Sequence, residues 1–316
     1  MKNNERKNRI ANIPIALLPT MVGACTLSTV YANLGFTWIK HITMIATTII
    51  WIVYVFKIFT NFDVVKNEYS NTVPASLYAA VTMILMILGS YYFQFNNTFG
   101  KILWLIAIAL HAIHILVFTY RNVFKGINKN TFVPSWFVTY NGIMVSTVVG
   151  TSMNEPRLAK LIVYYGIGIF FIIIPFMIVR LVKVPIHESM IHTQAIVLAP
   201  SSLCLVSYLN FIKNPNTFFI FLLYFIILFS IIFIIIKIPE FFSYAFTPGF
   251  AGLTFPMAIG IVASTKASVY FASINLNIFS YIVKQISGIQ IYITTTIIAF
   301  VLYNFLKMWV NSYKRK

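Results

Sequence analysis

The chain has 316 residues, of which 59% are hydrophobic and 9% charged, and no soluble core of that length could hide so much apolar surface. Lipid must be the solvent for most of it. The formal charge of +17 comes from a shortage of acids, six Asp and Glu against 23 Lys and Arg, which is the balance of a membrane protein and not of a nucleic-acid binder.

In chain order, a basic N-tail at 1–12, with Lys2, Arg6, Lys7 and Arg9, precedes an apolar stretch and superficially imitates a secretory leader. The stretch from Ile13 to Ala32 has the length of a bilayer crossing, about 20 residues, and no small-x-small cleavage site, so it reads as a retained first span. Apolar windows then give ten candidate spans, at 13–32, 37–59, 74–93, 102–120, 134–151, 159–181, 193–212, 217–237, 248–271 and 287–309. The joints are too short for a separate soluble domain. The longest irregular stretch, Ala272 to Ile286, has room for a partial helical turn at the interface. One transmembrane domain, 13–309, is therefore expected, followed by a C-tail at 310–316 whose Lys314-Arg315-Lys316 suits anionic inner-leaflet lipid at about 1 kcal/mol per charge.

The N-tail, the C-tail and the joints after spans two, four, six and eight, with the span ends that enter them, hold 16 of the 23 bases. Both termini are accordingly expected to be cytoplasmic. Five prolines, Pro19, Pro74, Pro134, Pro200 and Pro256, recur at intervals of 55, 60, 66 and 56 residues, each ahead of small residues and an apolar run. Each interval is the length of a helical hairpin, and all five prolines fall on odd spans. Odd spans also carry the small and hydroxylated residues Thr20, Gly23, Ala24, Ser76, Ala79, Ala80, Thr139, Asn141, Gly142, Ser201, Ser202, Thr254 and Gly260, whereas even spans are bulky and aliphatic or aromatic. The pattern predicts an all-α membrane protein of five hairpins in a quasi-five-fold ring. Odd helices, bent by proline, line a central pore and even helices face lipid.

All six acids, Glu5, Asp63, Glu68, Glu155, Glu188 and Glu240, fall in tails or joints, so no carboxylate stands in mid-span. Coupled carriers commonly hold such groups in the membrane, and a conduit without them is hospitable to anions. Lys266, eleven residues after Phe255, lies on the same face of span nine about 16 Å further on. It either attracts anions or snorkels to headgroups. His111 and His114 stand at i, i+3 on span four. They suit interhelical hydrogen bonding, and a metal would need further ligands that nothing nearby supplies. His187 and His192 read as solvated loop histidines and His41 as interfacial. Tyr140 and Asn141 either contact a solute or tie helices together. Cys25 and Cys204 sit in apolar runs as small hydrophobes. No nucleophile with a base, phosphate cradle or metal-ligand spacing occurs, so neither enzyme nor cofactor is expected.

Two stretches, Ile196-Val-Leu-Ala-Pro-Ser-Ser-Leu-Cys-Leu-Val-Ser-Tyr-Leu209 and Phe250-Ala-Gly-Leu-Thr-Phe-Pro-Met-Ala-Ile259, resemble the seventh and ninth helices of the tellurite-resistance/dicarboxylate transporter family. That family groups TehA-like bacterial proteins, plant guard-cell slow anion channels, and fungal malate permeases and sulfite pumps. Pro134-Ser-Trp-Phe is similar to its fifth-helix signature, and the resemblance covers essentially the whole chain. It implies a homotrimer with one pore per protomer, blocked by a phenylalanine on the ninth helix, matched here by Phe255. The chain departs from the family where Thr139 and Tyr140 replace a second proline, and its first helix is only loosely similar. The expected function is a plasma-membrane channel or permease for small inorganic or carboxylate anions. The alternative is a coupled carrier of C4-dicarboxylate, sulfite or tellurite-like oxyanions.

Overall fold

The computed structural model describes residues 10–314, with side chains to residue 311. The N-tail bases and the side chains of Lys314, Arg315 and Lys316 lie outside the described residues. Regular structure among the described residues is helical throughout, and eight helices are long and apolar enough to cross a membrane. They are α2 (Thr37–Thr60), α4 (Thr72–Phe93), α5 (Asn97–Phe124), α8 (Pro156–Lys183), α9 (Glu188–Phe211), α10 (Thr217–Ser243), α11 (Pro248–Ser273) and α12 (Asn277–Lys314). Shorter elements complete the order: α1 (Leu17–Asn33), α3 (Phe62–Ser70), α6 (Trp136–Tyr140) and α7 (Val145–Val149).

Two of the ten expected spans differ in kind from the eight. Helix α1 has 17 residues, and the segment expected at 134–151 is two five-residue helices joined through a 3-10 turn at Gly142–Met144. Its sequence explains the break, since Pro134, Asn141-Gly142 and the β-branched Val145, Thr147, Val148 and Val149 all disfavour a continuous helix. The expected partial turn at 272–286 is replaced by a tight turn at 274–276, with Asn275 at φ 62°, after which α12 starts ten residues earlier than expected. No proline interrupts 277–314, so the helix propagates through the polar residues that marked this stretch as irregular. Helices α5 and α10 begin where Asn96 and Asn216 accept from the backbone N–H of Phe99 (2.9 Å) and Phe219 (3.0 Å).

Irregular backbone concentrates in a few helices. Helix α4 is interrupted at Tyr78, and α9 and α11 start with 3-10 stretches, Glu188–Val197 and Pro248–Leu253. These three are 72–83% buried over their most apolar windows, whereas α2, α5, α8, α10 and α12 are only 22–33% buried there. Backbone that leaves α geometry exposes polar groups that lipid cannot satisfy, so it is tolerated only under protein cover. Helix α1 packs on α4 and α11, α4 on α6 and α7, α7 on α9, and α9 on α11. The exposed helices bridge these contacts: α2 lies over α1 and α4, α5 over α4 and α6, α8 over α7 and α9, α10 over α9 and α11, and α12 over α11 and α1.

Two devices set the α1–α5 region. Gly100 lets α5 meet the end of α4 backbone to backbone, since a Cβ there would lie 2.3 Å from Phe93 N and 2.6 Å from Gly89 O. Lys57, fully buried, donates to Glu68 Oε1 (2.8 Å) and to the Ile13 carbonyl (3.0 Å), which also accepts from Tyr54 Oη (2.8 Å). The second Glu68 oxygen accepts from Tyr78 Oη at the interruption of α4. One ion pair thus ties the segment before α1 to α2, α3 and α4.

Gly100→Ala is expected to cost about 1–3 kcal/mol or more through overpacking, read as a lower thermal-unfolding midpoint in detergent. Lys57→Met strands the Glu68 carboxylate and should cost about 2–4 kcal/mol, below a fully enclosed pair because Glu68 keeps 26% exposure. Lys57→Met/Glu68→Gln should recover part of that loss in the same assay.

Candidate functional site

The buried segments enclose a narrow cavity of about 70 Å³, room for a few water molecules. Pro19 of α1, Val73, Leu77 and Met83 of α4, and Phe137, Val138 and Gly142 of the broken segment line one side. Ser189, Thr193, Ile196, Ala199 and Leu203 of α9 line another, and Pro248, Gly249, Ala251, Gly252, Phe255 and Pro256 of α11 complete it. None of these residues is charged. Val73, Ser189 and Pro248 are partly or fully exposed at the mouth, while Met83, Leu203 and Phe255 are buried at the deep end.

The position of Phe255 is fixed from α1. A Cβ on Gly23 would lie 2.7 Å from Phe255 N and 2.8 Å from Thr254 C, so only glycine lets α1 rest on that backbone. Thr254 Oγ1 donates to Ala251 O at 2.8 Å and lies 3.4 Å from Pro19 O. Pro256 follows at once and, having no N–H, adds no backbone donor there.

On the opposite wall, Gly142 stands before His111 and Met83, which would lie 2.9 and 3.0 Å from a Cβ there. His111 Nε2 faces the Thr139 carbonyl at 2.9 Å, which only accepts, so Nε2 carries the hydrogen and Nδ1 accepts from the Thr82 hydroxyl at 2.6 Å. His114 reaches Tyr69 Oη (2.9 Å) through Nδ1 and Thr139 Oγ1 (3.3 Å) through Nε2. Burial pushes the Tyr69 phenol up, outweighing the opposite pull of the Arg121 guanidinium, so the phenol keeps its proton beside His114. The two histidines therefore tie α5 to α4 and to the broken segment.

Of the residues singled out from sequence, Pro19, Gly142, Phe255 and Pro256 line the cavity. Thr20, Ser76, Ser201 and Ser202 are fully buried, and their hydroxyls donate to Ala16, Val73 and Leu198 carbonyls of the preceding turn. Ala24, Ala79 and Ala80 are core residues, and Gly260 admits Gln290 and Leu198, each 3.1 Å from where a Cβ would stand. Pro74, Pro134 and Pro200 are absent from the lining. Lys266 is half-buried and lies outside the lining too. Tyr140 Oη pairs with Thr119 (3.0 Å) and Asn141 Nδ2 donates to Gly166 O (2.9 Å), so both tie helices together.

His192 differs from its expected solvated setting. It is 1% exposed, its ring tilted against that of Phe250 with centroids 3.8 Å apart, and its Nε2 donates to Phe241 O at 3.0 Å, because the 3-10 stretch carries the backbone into the bundle earlier than the apolar window suggested. Sequence reasoning also missed the bulky apolar lining, having favoured small and polar residues. A signal was present: Ser189, Thr193, Ile196, Ala199 and Leu203 recur at helical spacing, and Gly249, Gly252 and Phe255 at the three-residue period of a 3-10 turn.

Membrane-length helices wrapped around bent segments that share a narrow uncharged cavity define an integral-membrane transport protein. Residues 12–309 match the voltage-dependent anion channel family (SLAC1), and the chain belongs to that family, the one its seventh- and ninth-helix motifs resemble. Membership implies membrane anion transport, and the family is one of transporters, not enzymes. No curated protein matches the chain.

Gly23→Ala is expected to lower the thermal-unfolding midpoint by an amount equivalent to about 1–3 kcal/mol. Gly168→Ala, inside α8 and with a Cβ that would meet nothing within 4 Å, should instead leave the midpoint unchanged or raise it, by up to about 1 kcal/mol.

Proposed function

We propose that the chain is a plasma-membrane channel or permease for small inorganic or carboxylate anions, with a central pathway occluded by Phe255. The carrying observation is the burial of Phe255 at the deep end of a cavity that takes its lining from α1, α4, the α6–α7 segment, α9 and α11. The cyclic order of contacts among those five segments supports a quasi-five-fold ring of hairpins, ten crossings in all, with exposed helices outside. In this reading 13–309 is one transport domain, both termini are cytoplasmic, and three protomers assemble, each with its own pore.

An uncharged wall suits anions because it holds no carboxylate to repel them. Lys266, beyond Phe255 on α11, draws anions toward the far side of the ring. Thr20, Gly23, Ala24, Ser76, Ala79, Ala80, Gly142, Ser201, Ser202 and Thr254 border the bore where it widens once the ring moves, Pro19, Pro74, Pro134, Pro200 and Pro256 bend the helices that carry them, and Thr139 and Gly260, which face the α5 histidines and Gln290, support it from behind. Because no lining residue ionises, the cavity lacks a group to bind a coupling proton, which favours a passive route over a coupled carrier of dicarboxylate, sulfite or tellurite-like oxyanions.

Phe255→Ala should raise anion current in planar bilayers at least several-fold, with chloride, nitrate, sulfite and malate exchanged in turn. Unchanged current from folded protein would remove the gate. Saturating uptake driven by an imposed pH gradient would establish the carrier instead.

A further inference from the structure

A second cavity, about 250 Å³, opens between α10 and α12. Its rim residues Ile232, Ile235 and Ile289 are 47–60% exposed on the outer, lipid-facing helices, while Leu198 of α9 and Met257 of α11 are buried at its floor. No charged side chain lines it. It is therefore a crevice entered from the bilayer and reaching the buried helices.

Its aliphatic lining is interrupted by two polar residues one turn apart on α12. Gln290 is 6% exposed and Thr294 fully buried, and neither Gln290 Oε1 nor Thr294 Oγ1 has a hydrogen-bond partner. The position makes that costly, because hydrocarbon supplies no donor or acceptor in compensation. Thr294 does not resolve it with a bond to the preceding turn, as Thr295 (to Ile291 O, 2.7 Å) and Thr296 (to Tyr292 O, 3.0 Å) do beside it. Apart from the Gln290 amide and the Thr294 hydroxyl, the walls of the crevice are aliphatic.

We propose that this crevice binds an uncharged, single-chain amphiphile bearing a hydroxyl group. Its alkyl body fills the isoleucine-lined space, its O–H donates to Gln290 Oε1, and its oxygen accepts from the Thr294 hydroxyl. A charged headgroup is disfavoured because it would be desolvated without a counter-charge, and a plain acyl chain leaves both polar atoms unmet. The assignment is independent of what crosses the first cavity.

The test uses the full chain in lipid nanodiscs and a diazirine-bearing undecanol as the probe, with adducts mapped by mass spectrometry. Adducts are expected on α10 and α12 residues facing the crevice. Undecanol should compete at about tenfold lower membrane concentration than undecane, as two hydrogen bonds would give. Gln290→Leu/Thr294→Val should abolish that preference, and Leu228→Trp, which fills the space, should abolish labelling. Adducts elsewhere, equal competition by undecane as for a plain chain, or a preference that survives the double variant would each overturn the proposal. Should the double variant fail to fold, the undecanol-to-undecane ratio on the unmodified chain decides the matter alone.

Discussion

Hydrocarbon offers nothing to hydrogen-bond a peptide group, and that one constraint organises this molecule. A regular helix satisfies its own backbone and can face lipid. The interruption at Tyr78, the break between α6 and α7 and the 3-10 starts of α9 and α11 cannot, so they are covered by neighbours. What these segments share at their centre is a cavity. The sorting by backbone regularity has exceptions in the outer layer, where α5 ends in a π turn at Tyr120–Phe124 and α8 and α10 carry Pro175 and Pro239 inside the helix.

The same sorting explains where the cavity's deep end falls. Helix α1 approaches α11 closely only because Gly23 has no side chain, and the contact lands on the Thr254–Phe255 peptide. The Phe255 ring is thus placed by a backbone contact from α1 and followed at once by proline. Opposite, the Thr82–His111–Thr139–His114–Tyr69 chain of hydrogen bonds ties the broken segment to α4 and α5, so the wall containing Gly142 is supported from behind.

Much of the fold was legible in the residues, and the reason is lipid. The lipid-facing helices α2, α5, α8 and α10 are simply the most apolar windows, and Asn96 and Asn216 mark two starts with a cap. Less legible was whatever depends on local geometry that hydropathy does not register. Residues 277–286 are polar enough to look like a joint and yet continue α12. Lys57 fell inside an apolar window and Glu68 in a joint, and nothing in their spacing of eleven announces an ion pair. In the site, hydroxyls were the natural candidates for a wet wall, but Thr20, Ser76, Ser201 and Ser202 spend their hydrogens on carbonyls of their own helices. Phe255 was findable because a proline, a threonine and a ring stand in sequence on a helix already marked by small residues.

The 3-10 stretch that opens α9 also bears on reach. Ten residues in that geometry advance about 20 Å, where an α-helix would advance about 15 Å. With Glu188–Val197 drawn out in this way, α9 is about 5 Å longer along its axis than an α-helix of the same residue count. A change of pitch thus gives this chain axial reach that it does not have to supply with added residues.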